Sequence, residues 1–228
     1  MSAIALSIII PSYNEGSNVI QVLHHATGTL EKLHHSSYEL LLVDDGSTDD
    51  TGSVMDTLAQ ANPAIRVFHH PRNAGLGTAL RTGFQQAAGE VITWIPGDGQ
   101  FDLAEVLAGL TQLPEKDCVV AIRQGRKEVT RSLISFCFHG LIRLLFRFDA
   151  TDICGIWLIK RKVLAEINPQ AQDIFLNLEI PLLCVRHRKK IGQITVLIQP
   201  RLSGVSKVRN FRTMAKNLFE LLRFRFSL

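Results

Sequence analysis

The chain has 228 residues, 46% of them hydrophobic, and a formal net charge of +4, enough to fill one substantial core or two small ones. Its four cysteines (Cys118, Cys137, Cys154, Cys184) are scattered without a CxxC pair, which argues against a zinc site or a disulfide framework and for a reducing compartment. No window offers the roughly 18 uninterrupted apolar residues of a membrane span; Leu133–Phe148 comes nearest and is broken by His139, Arg143 and Arg147.

The charge is uneven. From Pro181 onward eleven Lys/Arg face one acid, Glu220, a net of +10 that leaves residues 1–180 at −6. Such a basic portion suits phosphates or an anionic surface.

In chain order, Ala5–Ile10 (ALSIII) reads as a buried first strand rather than a secretory leader, since it lacks a charged start and ends at Pro11. Pro11–Glu15 reads as the loop at its C-terminal end, and a helix is expected from about Asn18 to Leu33. Tyr38–Val43 is a second strand closing on Asp44-Asp45-Gly46-Ser47, with Ser47 or Asp49 able to cap a helix to about Gln60. Ile65–Phe68 is a short third strand and Gly75–Ala88 a helix. The paired histidines His24–His25, His34–His35 and His69–His70 read as surface or boundary filler, because adjacent side chains point in different directions.

Val91–Ile95 is a fourth strand, stopped by Pro96 and Gly97. Asp98 and Gln100 follow in a turn, and Asp102 is placed to cap a helix. This β-α alternation implies a parallel sheet with right-handed crossovers. Tyr13 with Glu15, Asp44 with Asp45, and Asp98 with Gln100 each follow a strand end, so the three clusters should converge on one sheet edge, where ligands of open α/β sheets collect. The alternative is that each carboxylate merely caps a helix or polar turn.

The second half is less regular. Asp117–Ile122 should be a strand leading to a mobile loop near Arg123–Glu128, and Glu128–Phe148 a long apolar helix. Ile153–Ile159 reads as a strand, Arg161–Ile167 as a short helix, Leu176–Val185 as a helix despite Pro181, and Ile191–Ile198 as a strand. Asn210–Phe226 is a basic amphipathic helix. There is no internal repeat, low-complexity tract or clear linker.

A nucleotide-sugar transferase needs polar groups for the nucleoside, a divalent ion and positive charge for the leaving diphosphate, and an acceptor site. Tyr13, Glu15 and Asp44 can serve the first. Asp98 and Gln100 are hard oxygen donors suited to Mg²⁺ or Mn²⁺. Arg201 and Lys207 can serve the diphosphate, or be a solvated basic loop.

These motifs resemble the inverting family 2 glycosyltransferases of GT-A fold, a Rossmann-like three-layer α/β/α sandwich with a mostly parallel sheet. The residues that carry the resemblance are Pro11-Ser12-Tyr13-Asn14-Glu15, Val43-Asp44-Asp45-Gly46-Ser47, Gly75-Leu76-Gly77-Thr78-Ala79 with Gly83, and Gly97-Asp98-Gly99-Gln100. Thr130–Ser135, Thr151–Gly155, Asn177-Leu178-Glu179 and Ser203–Lys207 point in the same order to the dolichol-phosphate mannose synthase and polyprenyl-phosphate sugar synthase branch.

The resemblance implies one domain over 1–228: a nucleotide-binding half (1–110), an acceptor-binding half (111–208) and the C-terminal helix (209–228). It implies a nucleotide-diphosphate sugar donor and a polyprenyl phosphate acceptor, with Pro11, Tyr13, Glu15, Asp44, Asp45 and Gly97 at the donor and Asp98 and Gln100 on the metal. Arg123, Arg201 and Lys207 would contact donor phosphates, and Arg131 and Ser135 the lipid phosphate, with Asp98, Arg131 and Ser135 forming the catalytic set. The expected location is cytoplasmic, peripheral at the membrane face or beside a membrane-spanning partner.

The chain departs from the family at Pro96, where the first aspartate of Asp-x-Asp is usual, at Leu158 in place of an arginine, at Val205 in place of an acid, and in lacking C-terminal membrane spans. A non-lipid acceptor, or a weakly catalytic nucleotide-sugar-binding subunit, is the competing expectation. No GxGxxG opens the first unit, against a dinucleotide dehydrogenase, and no aromatic–basic interleaving points to nucleic acid.

Overall fold

A computed structural model describes residues 5–35, 37–124, 140–146, 148, 153–200 and 219–225. Seven strands form one sheet: β1 (Leu6–Ser12), β2 (Tyr38–Asp44), β3 (Ile65–His69), β4 (Val91–Trp94), β5 (Cys118–Gln124), β6 (Ile153–Lys160) and β7 (Ile191–Leu197). Their spatial order is β3-β2-β1-β4-β6-β5-β7. All run parallel except β6, which is antiparallel to both its neighbours.

The helices are α1 (Ser17–Lys32), α2 (Thr51–Ala61), α3 (Leu76–Gln86), α4 (Leu103–Leu107), α5 (Arg161–Ile167) and α6 (Leu176–Arg186), with a 3₁₀ turn at Ala108–Gln112. β1, β2 and β3 step one way across the sheet and β4 lies back on the other side of β1, so right-handed crossovers put α1 and α2 on one face and α3 on the other. α4 packs on α1. α5 shares a cleft with α3, where Arg81 and Phe84 meet Leu164. Every residue of β1 is buried, as a strand covered by helices on both faces requires. The expected three-layer α/β/α sandwich is the observed one.

The main core runs from Leu6 to Val196. Side chains such as Ile8, Leu41 and Trp157 are fully buried, each contributing about 1.5–3 kcal/mol of hydrophobic stabilisation. A second, smaller cluster joins Ile142, Phe175, Leu182 and Leu221. There the helical residues 140–146 and 219–225 pack together through Phe146 and Phe224, whose rings lie 5.9 Å apart. Part of the apolar face of each basic segment therefore packs on protein, while Leu144 and Phe219 remain 78% and 64% exposed.

Four expectations are corrected. Pro11 and Ser12 belong to β1, not to the loop after it. The Pro11 carbonyl accepts from Gly97 N, so its backbone faces the chain just beyond the end of β4. The N-cap position of α2 is Asp50, without a side-chain bond, rather than Ser47 or Asp49, although the Asp49 carboxylate does accept the helix's first N–H, from Thr51, at 3.0 Å. And His69 and His70 are not filler, as described below. Asp102 does cap α4, accepting from Ala104 N at 2.8 Å, and α6 continues through Pro181. Arg123 and Gln124, expected in a loop, extend β5 because they pair with Val196 and Leu197 of β7; the rest of that loop from Gly125 on, most of the Glu128–Phe148 helix and much of the C-terminal helix lie outside the described residues.

Candidate active site

Parallel pairing places the C-terminal ends of β2, β1 and β4 side by side. Ser12 stands in register with Asp44. The ladder continues past the strands through Asp45 N to Ser12 O at 2.9 Å and Gly97 N to Pro11 O at 3.3 Å. The three polar clusters thus do meet on one edge. β5 and β7 run the same way, which brings Arg123 and residues 198–200 to that edge as well. The first residues of β6, which runs in reverse, lie there too.

Backbone fit is tight. A Cβ on Gly97 would lie 2.2 Å from Ser12 Oγ, and one on Gly46 2.3 Å from the Arg72 carbonyl carbon. Gly46 also has φ +70, a conformation glycine adopts at little cost.

The first loop is stitched to the second. Asn14, in the left-handed region at φ 51, receives Thr48 N on its Oδ1 at 2.8 Å, and its own N–H donates to Ser47 Oγ at 3.0 Å. Thr51 Oγ1 accepts from Glu15 N and Gly16 N. Glu15 in turn accepts from Asn18 Nδ2 at 3.0 Å. Tyr13 and Glu15 are half-buried.

The two aspartates after β2 are used differently. Asp44 Oδ1 accepts from Ser47 N at 2.9 Å, and Oδ2 lies 3.0 Å from His69 Nδ1. Burial pushes the Asp44 carboxyl up, but the Ser47 and His69 hydrogen bonds outweigh it and hold the group below its ordinary value. Asp45 is directed at the turn before α3: it accepts from Ala74 N at 2.9 Å, Gly75 N at 2.8 Å and His70 Nδ1 at 2.8 Å. His70 Nε2 reaches Thr82 Oγ1 at 2.9 Å. The two histidines each hold one of the two aspartates. The sequence does contain the signal: Asp-Asp and His-His end two neighbouring strands of one βαβ unit.

Asp98 is 6% exposed, and its Oδ1 accepts from Gln100 N across Gly99, which has φ 74. That turn is joined to the far end of the chain: Phe101 bridges Ile198, and Gln199 N donates to Gln100 O at 2.9 Å. Gly155 O accepts from Trp94 Nε1 at 3.0 Å. Asn177 and Glu179 belong to α6, where Glu179 is buried and accepts from Gln170 N and Ala171 N. Burial raises its carboxyl above the ordinary range.

A sequence model of glycosyl transferase family 2 matches residues 7–167. The chain belongs to glycosyltransferase family 2. This family 2 chain is 28% identical over 85% of its length to a dolichyl-phosphate beta-glucosyltransferase of Saccharomyces cerevisiae. It is 27% identical over 93% of its length to a dodecaprenyl-phosphate galacturonate synthase of Rhizobium johnstonii. It spans 66% and 64% of those two proteins, less than two thirds of either. Its fold matches glucosyl-3-phosphoglycerate synthase of Mycobacterium tuberculosis, solved with Mn²⁺, UDP-glucose and phosphoglyceric acid. That match has a TM-score of 0.71 and 19% identity, and covers 97% of this chain and 79% of the other. The fold is therefore GT-A.

Of the expected site residues, Pro11, Tyr13, Glu15, Asp44, Asp45, Gly97, Asp98, Gln100 and Arg123 lie on the common edge, while Arg131, Ser135, Arg201 and Lys207 fall outside the described residues. Leu158, where the family carries arginine, is fully buried and packs where a Cβ on Gly109 would lie 2.8 Å from its Cδ1. Pro96 leaves Asp98 as the one carboxylate of its turn. Among the described residues no three His, Cys, Asp or Glu side chains gather into an all-protein metal cage. One carboxylate and one amide suit an ion that takes most of its shell from diphosphate and water, as Mg²⁺ commonly does.

Proposed function

We propose that this chain transfers a sugar, with inversion, from a nucleotide-diphosphate sugar to a polyprenyl phosphate at a membrane surface. The observation that carries the donor half is the convergence of Tyr13, Glu15, Asp44 and Asp98 on one sheet edge of a family 2 chain. The acceptor rests on the two relatives, both named for polyprenyl phosphate sugars. The mostly acidic 1–110 half holds the donor and the 111–208 half the acceptor.

In this reading Asp44 accepts hydrogen bonds from base or ribose, with Tyr13, Glu15 and Pro11 lining the nucleoside pocket. Asp45 acts by fixing the 72–75 turn, and Gly97 lets the backbone approach. Asp98 and Gln100 hold a diphosphate-borne Mg²⁺ or Mn²⁺, which neutralises leaving-group charge when bound. Arg123, Arg201 and Lys207 supply further positive charge to the departing diphosphate. Arg131 and Ser135 hold the acceptor phosphate. That phosphate is already an anion at neutral pH, so orientation for in-line attack on the anomeric carbon replaces a strong general base. The exposed Leu144 and Phe219, beside Arg143 and Arg223, supply peripheral membrane contact.

The test is incubation with labelled nucleotide sugars and polyprenyl phosphate in detergent, with and without Mn²⁺. Label should enter the organic phase, and Asp98→Ala should abolish the Mn²⁺-dependent part of donor binding by calorimetry. Label appearing only on a water-soluble acceptor would sink the lipid assignment; Mn²⁺-dependent binding unchanged in Asp98→Ala would sink the metal one.

A further inference from the structure

His69 ends β3 in register with Asp44 across the β2–β3 ladder. Both ring nitrogens are held by carboxylates: Nδ1 is 3.0 Å from Asp44 Oδ2, and Nε2 is 3.0 Å from Asp56 Oδ1 on α2. A neutral imidazole has one N–H and can donate to one of them only. The imidazolium donates to both. Two acceptor-only partners on one ring therefore select the charged form. The hydrogen bonds that Asp44 and Asp56 accept raise the His69 ring above its ordinary 6.5, against the smaller opposing effect of burial.

The packing around the ring is closed on the Asp44 side. A Cβ on Gly52 would lie 2.9 Å from Asp44 Oδ2 and 3.4 Å from His69 Nδ1 and Cε1, so only a glycine lets the helix backbone come this close to the pair. β2 and α2 are the elements packed on β3. The charged groups they turn toward the ring are Asp44 and Asp56; Asp45 is held by His70, and Glu39 is paired with Arg66 at the opposite end of the strands. Asp44 is 8% exposed at its side chain and Asp56 55%. The solvent-side carboxylate thus braces a ring that sets the rotamer of the buried one.

We propose that His69, braced by Asp56, is a positioning residue for the nucleoside pocket: as imidazolium it fixes Asp44 in its ligand-accepting orientation, and donor affinity falls when the ring loses its proton. The proposal rests on the reading of Asp44 as a nucleoside contact. When the proton shared with Asp44 leaves, the Nδ1 lone pair faces the Oδ2 lone pairs at hydrogen-bond distance, and the carboxylate must turn away. When the other proton leaves, Asp56 releases the ring.

The experiment uses the full chain, with UDP and GDP titrated separately by calorimetry between pH 6 and 8.5, and ring titration followed by NMR with His69 assigned through His69→Gln. Melting temperatures establish that each variant is folded. For the nucleotide that binds, wild-type affinity should fall about tenfold more steeply across this range than that of His69→Gln; titration of the nucleotide's own phosphate is common to both and cancels. Asp56→Asn, at an exposed position, should lower the His69 midpoint and move the affinity loss to lower pH with it. A wild-type profile identical to that of His69→Gln, or a His69 midpoint that moves in Asp56→Asn while affinity does not follow, overturns the positioning role. Asp44→Ala distinguishes the two levels: if it binds like wild type, the nucleoside reading itself fails, whereas weakened binding there with an unchanged His69→Gln profile removes the positioning role alone.

Discussion

Asp45→Ala separates an anchor from a ligand contact. The Asp45 side chain is 6% exposed, and its carboxylate receives two backbone N–H groups, Ala74 at 2.9 Å and Gly75 at 2.8 Å, besides His70. Hydrogen bonds to a charged group contribute about 1.5–3 kcal/mol each, so the two backbone bonds set an upper figure of about 3–6 kcal/mol. Ala74 is exposed and Gly75 half-buried, and water can reach their freed N–H groups once the carboxylate is gone. The expected loss is therefore nearer 2–4 kcal/mol, on the order of one well-made charged bond. Urea denaturation followed by far-UV circular dichroism measures it as a lower midpoint at unchanged slope. Asp45→Asn should fall close to the alanine variant, because its amide presents N–H where one backbone N–H now donates. Wild-type stability in Asp45→Ala, combined with lost nucleotide affinity, would refute the anchoring account and make Asp45 a ligand contact.

Further outcomes are expected elsewhere. Gly97→Ala puts a methyl 2.2 Å from Ser12 Oγ, an overpacking cost of about 1–3 kcal/mol. Among the described residues Ser12 Oγ has no hydrogen-bond partner, so Ser12→Ala in the same chain should recover much of that loss in a double-mutant cycle; simple additivity would show that the clash is absorbed elsewhere. Burial pushes the Glu39 carboxyl up, but Ser7, Ala88 N and Arg66 together hold it below its ordinary 4.5. Its stabilisation is thus present above pH 4.5 and lost as pH falls through the lower folded value, and Glu39→Ala should cost about 1.5–3 kcal/mol at neutral pH, the loss of a charged hydrogen bond beside an Arg66 that stays 42% exposed, and flatten stability between pH 5 and 3. An acid limb as steep as wild type would disprove this. Leu144→Gln with Phe219→Gln should reduce sedimentation with anionic liposomes at low salt without changing melting temperature; undiminished sedimentation would place membrane contact elsewhere.

The first half of the fold was legible because its strands are continuous apolar runs such as ALSIII and its turns carry Gly, Asp and Ser. The strand ends were less so. Ser12 and Asp44 stay extended because Asp45 N and the ladder continue the pairing, a tertiary effect that propensity does not contain. The sequence of β6 reads as a strand, but its reversed insertion depends on long-range pairing with β5 and with β4, the latter across more than 60 residues, as from Thr93 Oγ1 to Trp157 O. At the site, the converging carboxylates followed from topology alone. Their neighbours did not: His69 and His70 looked like surface residues because adjacent side chains diverge, whereas two diverging rings are what two adjacent aspartates require. The stitching roles of Asn14 and Thr51 are not legible for a similar reason, since their bonds cross from one loop to another.

The join between the Asp98 turn and the end of β7 has a temporal consequence. Gln100 and Gln199 stand 99 residues apart in the chain, and Phe101 finds its bridge partner only at Ile198. A ribosome adding about 5–20 residues per second needs roughly 5–20 s to supply that interval. Throughout it, the Asp44 pocket can already be assembled from β1, β2 and β3, while the turn holding Asp98 lacks its partner strand. On the proposed assignment of Asp44 to the nucleoside and Asp98 to the diphosphate, the nucleoside side of the site forms first and the diphosphate side last, on the arrival of residues from the basic end of the chain.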